Sequence, residues 1–436
     1  MLWHVVTGMV ACMLLLLQGH SNSLEVNEGN LKHGMDDRFG GGSSSWTNYM
    51  HDAQGTGVAG PDVPAIAQGK FVWLLDNLGT GFPWYSYGNI SLVVLSDGSV
   101  VTRDPRGLHI INVVGGVAYS FMEPITVDMD PTPAVGPNDT VFTTYVDQQS
   151  GTMYTCSLSR YPSWSTRWCV PYGGIGVSYD KVTDSVVSSS TNGTVFALRA
   201  ATGTIDWQYQ DQAAVRPISH PVRDADGRFY AVFPEGFGSR LVSVNPNEGK
   251  PEVAWMFEFM GVLVHGPMVT LDSRHIILIT SYCNSTVLAV NIQTGKLAWK
   301  AALPTYFCVA GASLGPDKQT LFLSTYSSGF VAPQNFTAFS LILHKPLWST
   351  SVPGEPFYSI GSPVATQHGL AYLQASSSLI AVNYTSKKVQ WVVESGGSYV
   401  AVSPPAISLD GSIYCLTKGN TIWQVSSSTT ATLYSD

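Results

Sequence analysis

One residue constrains this chain more than any other, a tryptophan that returns at a nearly constant interval. Trp207, Trp255, Trp299, Trp348 and Trp391 stand 48, 44, 49 and 43 residues apart, and Trp168 precedes Trp207 by 39. Ten residues ahead of four of them sits an alanine (Ala197, Ala289, Ala338 and Ala381), in the phrases "ALRAATGTIDW", "AVNIQTGKLAW", "AFSLILHKPLW" and "AVNYTSKKVQW". The remaining version, "VNPNEGKPEVAW", has a longer turn. Self-similarity at such a period marks a repeat architecture, in which one unit buries its face only against the next. Short acidic turns recur ahead of these phrases: "SDGS" at 96–99, "DADG" at 224–227, "LDSR" at 271–274, "GPDK" at 315–318 and "LDGS" at 409–412. Apolar runs such as "IILITS" and "LFLSTY" follow them. Each unit therefore reads as four short strands joined by tight turns, the pattern of a β-propeller blade. Each tryptophan is a wedge between neighbouring sheets, with a large apolar ring and one N–H to satisfy.

The expected fold is all-β, an eight-bladed propeller with four antiparallel strands per blade. The blades fall near 84–122, 132–171, 174–209, 217–258, 265–302, 310–352, 360–394 and 402–425. The last lacks its tryptophan strand. The segment "KFVWLLD" (70–76), with Trp73 as its wedge, is an orphan strand of that kind, and pairing it with the eighth blade closes the ring and removes a sheet edge. Because the first blade is degenerate, seven blades stays open as the alternative. Composition agrees: charged residues are only 12% of the chain, while 42 Gly and 12 Trp suit turns and packed strands. The net charge of −8 and the lack of a Lys/Arg cluster argue against nucleic acid as a partner.

The domain reading is a signal peptide over 1–23, a flexible linker over 24–45 that contains "GGGSSS", the propeller over 46–425 and a loose tail over 426–436. The apolar run from Val5 to Leu17 is short for a membrane span, and "SNS" offers small residues for cleavage. No Lys or Arg precedes that run, so a retained anchor is the alternative. No later stretch is long and apolar enough to span a membrane. Six glycosylation sequons, at Asn89, Asn138, Asn192, Asn284, Asn335 and Asn383, fit a secreted or lumenal glycoprotein. Asn138 falls in a first turn of its blade, Asn192 and Asn284 in second-to-third strand turns, and Asn383 in a third-to-fourth turn.

The phrases "ALRAATGTIDW" and "AVNIQTGKLAW" resemble the pyrroloquinoline-quinone (PQQ) repeat of the quinoprotein-like β-propellers, and "SWTNYMHDAQGTGVAG" (45–60) resembles the lead-in segment of bacterial members. The resemblance covers nearly all of the mature chain. It implies the blade type, not the cofactor, because the motif describes strand packing. That superfamily includes dehydrogenases, an outer-membrane assembly scaffold and stress-sensing lumenal domains. Its alcohol dehydrogenases typically carry a vicinal cysteine disulfide over the cofactor and a Ca²⁺ site built from Glu, Asn and Asp. No two cysteines are adjacent here, and no such ligand set can be placed.

The remaining candidates are few. "GASLG" (311–315) matches G-x-S-x-G, but Ser313 falls in a first strand, without the strand–turn–helix setting of a nucleophile elbow. His220 and His265 lie near the starts of first strands and are candidates to face the central channel, where they would take a metal or an anion. Asp128 and Asp130 in "VDMDP" are a further candidate for Ca²⁺, with a solvated loop as the plainer reading. If the "AATG" turn is symmetric, Trp207 opposes Phe196, and the same register in the second blade sets Cys156 opposite Cys169 within bridging range. Cys283 and Cys308 fall in loops of one face and form the second expected disulfide. Cys415 is left over as a small buried hydrophobe. No catalytic set converges, and no metal site is assigned. The expected role is a non-catalytic binding or scaffold module whose loops take a protein, peptide or glycan. A diverged oxidoreductase using PQQ and Ca²⁺ is the alternative.

Overall fold

The computed structural model describes residues 58–75, 92–104, 107–122, 132–147, 149–160, 163–174, 176–211, 217–247, 250–281, 285–304, 307–327, 334–353, 361–375, 377–396, 403–417 and 421–427. The signal, linker and tail readings fall almost wholly outside them. All the described residues belong to one compact unit, Ser43–Asp436.

Eight four-stranded antiparallel sheets follow one another along the chain. Blades 1 to 7 each use four consecutive strands. Blade 3, for example, runs Val177–Asp180, Ser185–Ser189, Thr194–Arg199 and Ile205–Gln210. Blade 8 takes three strands from the C-terminal region (Ala406–Ile407, Ile413–Leu416 and Ile422–Ser426) and its fourth from Lys70–Leu75. The blade count is eight, and the orphan strand closes the ring as expected. First strands of adjacent blades contact one another and are buried, so they are the innermost strands. Fourth strands such as Glu252–Met260 and Lys388–Glu394 alternate between exposed and half-buried along most of their length, as an outer edge does.

The recurrent motifs have separate jobs. Within the acidic turns the carboxylate accepts main-chain N–H bonds: Asp97 from Ser99 (2.8 Å), Asp272 from Arg274 (3.1 Å), Asp317 from Thr320 (2.9 Å) and Asp410 from Ser412 (2.8 Å). These aspartates shape the turn between the first and second strands. The tryptophan joins one blade to the next. Trp168 of blade 2 donates its indole N–H to the carbonyl of Ala200 in blade 3 (3.0 Å). Trp255 of blade 4 reaches Ile292 in blade 5 (2.8 Å). The closing strand obeys the same rule, since Trp73 donates to Val113 of blade 1 (3.0 Å). Trp391 of blade 7 donates to Ile66 (2.9 Å), just ahead of that strand. The glycine of the receiving turn lies under each ring, so a Cβ on Gly203 would collide with Trp168, one on Gly295 with Trp255 and one on Gly115 with Trp73.

The register of the opening phrase differs from the symmetric one by a residue. Trp207 opposes Ala197, not Phe196, because a bulge between Ala197 and Leu198 places two residues of the fourth strand against one of the third. Blade 2 has a turn one residue longer, so there the transferred register holds: Ser157 opposes Trp168 and Cys156 opposes Cys169. Those cysteines form a disulfide, with Cα atoms 4.2 Å apart.

Candidate functional site

At the ring's inner edge the first strands meet through small side chains. A Cβ on Gly311 of blade 6 would strike Ser362 of blade 7, and one on Gly361 would strike the carbonyl of Ser403 in blade 8. Ser362 and Ser403 are buried. His220 lies in the lead-in to the first strand of blade 4, and its ring packs against Gly176 of blade 3, where a Cβ would overlap Cε1. His265 occupies the first strand of blade 5, opposite Ile279; its side chain lies outside what is described. The two histidines therefore belong to neighbouring blades, His220 ahead of one inner strand and His265 on the next, with His220 turned to the blade on its other side.

Among the described residues, no group of three or more His, Cys, Asp or Glu is arranged to hold a metal. No catalytic step is derived through a Ca²⁺-bound quinone. Asp128, Asp130, Cys283, Asn89 and Asn284 fall outside the described residues. Cys308 and Cys415 are buried, and burial raises the Cys415 thiol well above its ordinary range. Ser313 is buried within the strand Phe307–Leu314, and its Oγ meets no hydrogen-bond partner among the described residues. A strand on a blade's inner edge offers no nucleophile elbow.

Of the sequons that can be placed, Asn138 and Asn192 are exposed, while Asn335 and Asn383 are half-buried. Asn192 is exposed in the turn between Ser185–Ser189 and Thr194–Arg199, and Asn138 sits in the short 3-10 turn Pro137–Asp139. Asn383 ends a third strand, and Asn335 lies at the start of the strand Gln334–Ser340.

The sequence reading missed a groove of about 490 Å³ between blades 2 and 3. Its walls come from Met153 and Pro171–Gly173 on one side and from the Ser190–Thr194 turn with Gln208 and Gln210 on the other. None of its twelve lining residues is charged. Single neutral residues scattered over three segments carry no motif, which is why the groove could not be read from spacing. Thr155 donates through its hydroxyl to the carbonyl of Tyr172, beside the Cys156–Cys169 bridge, and so fixes the Tyr172 wall. On the opposite wall Gln210 Nε2 donates to the carbonyl of Asn192 (2.7 Å), and Asn192 Oδ1 accepts from the Thr194 main chain (3.1 Å).

Charged pairs elsewhere tie blades together. Arg223 of blade 4 meets Asp180 of blade 3 at 3.1 Å, with side chains 9% and 3% exposed. Arg240 reaches Asp211 at 2.9 Å, and Arg160 spans Asp97 and Asp139. Burial, reinforced by the Asp211 carboxylate, pushes the Tyr209 phenol up to about 12.

A family model described as outer membrane protein assembly factor BamB matches residues 123–258. Among solved structures, the quinohemoprotein alcohol dehydrogenase ADHIIG from Pseudomonas putida HK5 aligns with a TM-score of 0.65 at 10% identity, over 90% of this chain and 81% of that one. The chain is an eight-bladed β-propeller with the fold of that enzyme, and the family match lies within it. A europium-containing methanol dehydrogenase aligns at 0.61 and 12% identity, over 85% of this chain and 89% of its own. BamB from Moraxella catarrhalis aligns at 0.54 and 14% identity, over 82% of this propeller and 99% of its own chain. At these identities the likeness is one of fold. No curated protein matches the sequence. Among the described residues, no helix is long and apolar enough to cross a membrane.

Proposed function

We propose that this propeller is a secreted or lumenal glycoprotein that acts as a non-catalytic binding module, presenting its loop faces to a protein, peptide or glycan. The observation that carries this reading is the inner ring. Where first strands meet, Gly311 packs on Ser362, Gly361 on the Ser403 carbonyl and the His220 ring on Gly176, a tightly filled edge. Interaction capacity lies instead at the turns and in the groove between blades. The BamB family match over 123–258 supports a scaffold role, since that relative's description is one of assembly. The sequons at exposed turns support passage through the secretory pathway.

The competing reading, a diverged quinoprotein oxidoreductase, draws on the fold likeness to the alcohol and methanol dehydrogenases. Incubation of the full chain with excess PQQ and Ca²⁺, followed by desalting, an absorbance scan and a dye-reduction assay with alcohols and sugars, separates the two. The binding reading expects neither retained quinone nor dye reduction. Retained quinone with turnover would overturn it.

A further inference from the structure

We infer that the groove between blades 2 and 3 is a binding site for a neutral saccharide. The inference deepens the binding role proposed above, on which it rests for its biological sense. The observations behind it are those of the groove itself.

A cavity of about 490 Å³ lies within the range of small-ligand sites, roughly 300–1,000 Å³. The chemistry of its lining narrows the ligand. With no Asp, Glu, Lys, Arg or His among the lining residues, the groove has no side-chain counter-charge for a phosphate, a carboxylate or an ammonium. What it offers instead is amides and hydroxyls, which both donate and accept, as a sugar hydroxyl does. Gln208 on the outer strand and Tyr172 on the opposite wall have no side-chain hydrogen bond to protein among the described residues, and both are exposed. Their polar groups are available to a ligand. Tyr172 also supplies a flat apolar face, 40% exposed and backed by Phe196 at 6.2 Å between ring centroids. An aromatic plate beside planar amides suits a ring that has apolar C–H faces and a polar rim.

The walls are set before any ligand arrives. The Cys156–Cys169 bridge and the Thr155 bond to the Tyr172 carbonyl hold one side. Gln210 and Thr194 hold the turn on the other. A Cβ on Gly173 would collide with the Met153 backbone, so the segment carrying Tyr172 packs closely on the blade beneath. A preformed site loses little ordering entropy on binding, which matters for a ligand whose affinity comes from a few hydrogen bonds.

The test uses the full chain expressed in a bacterial periplasm, where the disulfide forms and eukaryotic-type N-glycans are absent, so that no glycan on Asn192 occupies the groove. The probes are N,N′-diacetylchitobiose and maltotriose, each at about 10 mM and read by saturation-transfer NMR, with an uncharged acetylated tripeptide amide as competitor. The expected result is transfer to one or both sugars, weakened about tenfold or more by Tyr172→Ala, reduced by Gln208→Ala and retained in Tyr172→Phe. Melting curves matching the parent chain establish that the variants are folded. No transfer to either sugar, transfer unaffected by Tyr172→Ala, or displacement by the peptide in preference to sugar would each overturn the inference. The cofactor experiment reads a different part of the molecule, so the two proposals fail separately.

Discussion

Trp168 stands on Gly203. The indole of one blade lies over the turn glycine of the next and donates to the Ala200 carbonyl within the same turn. The "TG" and the "W" of the repeated phrase are thus two halves of one joint, held by different blades. Gly203 is needed twice over, since its φ of +72° disfavours a side chain and a Cβ there would enter the indole. Trp168→Ala is expected to cost about 3 kcal/mol in chemical denaturation. Gly203→Val is expected to destabilise as well, and the double variant should lose less than the sum, because both changes break one contact.

The disulfide between Cys156 and Cys169 closes a short hairpin, at a sequence separation of 13. Replacing both with alanine is expected to lower stability by about 2–3 kcal/mol, chiefly by loosening the unfolded chain. Urea unfolding of the double variant beside the oxidised parent checks this.

The fold was legible because its signals are repeated. Eight strand groups and the orphan strand with Trp73 follow from periodicity and turn chemistry, whereas the register that pairs Cys156 with Cys169 holds because the turn of blade 2 is one residue longer than that of blade 3. The destination of the tryptophans was not legible, since the phrase that contains Trp168 does not contain its partner Gly203. The register around Trp207 was misread because a bulge adds a residue without changing composition. The groove went unseen for a related reason. Tyr172, Asn192 and Gln208 belong to no motif and meet only because the strand order brings two blades side by side.

Arg223 and Asp180 join blades 4 and 3 through a buried ion pair at 3.1 Å. Arg223→Ala leaves the Asp180 charge buried with only its turn partners Val182 and Thr183, and is expected to cost about 3–5 kcal/mol. The combination Asp180→Asn with Arg223→Leu should recover part of that loss. Parallel denaturation curves for the single and double variants provide the comparison.

His275 gives the propeller a defined acid response. Burial holds its imidazole below the ordinary 6.5, against the pull of Asp272 and with added repulsion from Arg274 and His344. A histidine with a depressed folded value stays neutral in the native state while the unfolded chain takes up a proton. The stability it contributes is therefore full above about 6.5 and is lost as pH falls through the unfolded and then the folded value. Melting temperature should drop as pH falls below about 6.5, and His275→Asn should flatten part of that drop. His344, stacked on Trp299 with ring centroids 4.3 Å apart, is also held low by burial and adds in the same direction.

The ring closes where Lys70–Leu75 supplies the fourth strand of blade 8. Lys70 opposes Ser426 across that closure, in antiparallel register. Directly opposed residues place Cβ atoms about 4.5–5.5 Å apart, close enough for a bridge after small adjustment. The decisive measurement is oxidation of a Lys70→Cys, Ser426→Cys variant, followed by mass mapping of the disulfide under non-reducing conditions. An eight-bladed ring closed by Lys70–Leu75 predicts an intramolecular 70–426 bridge in nearly every molecule, with a raised melting temperature. Free thiols at both positions, or bridges only between molecules, would contradict it.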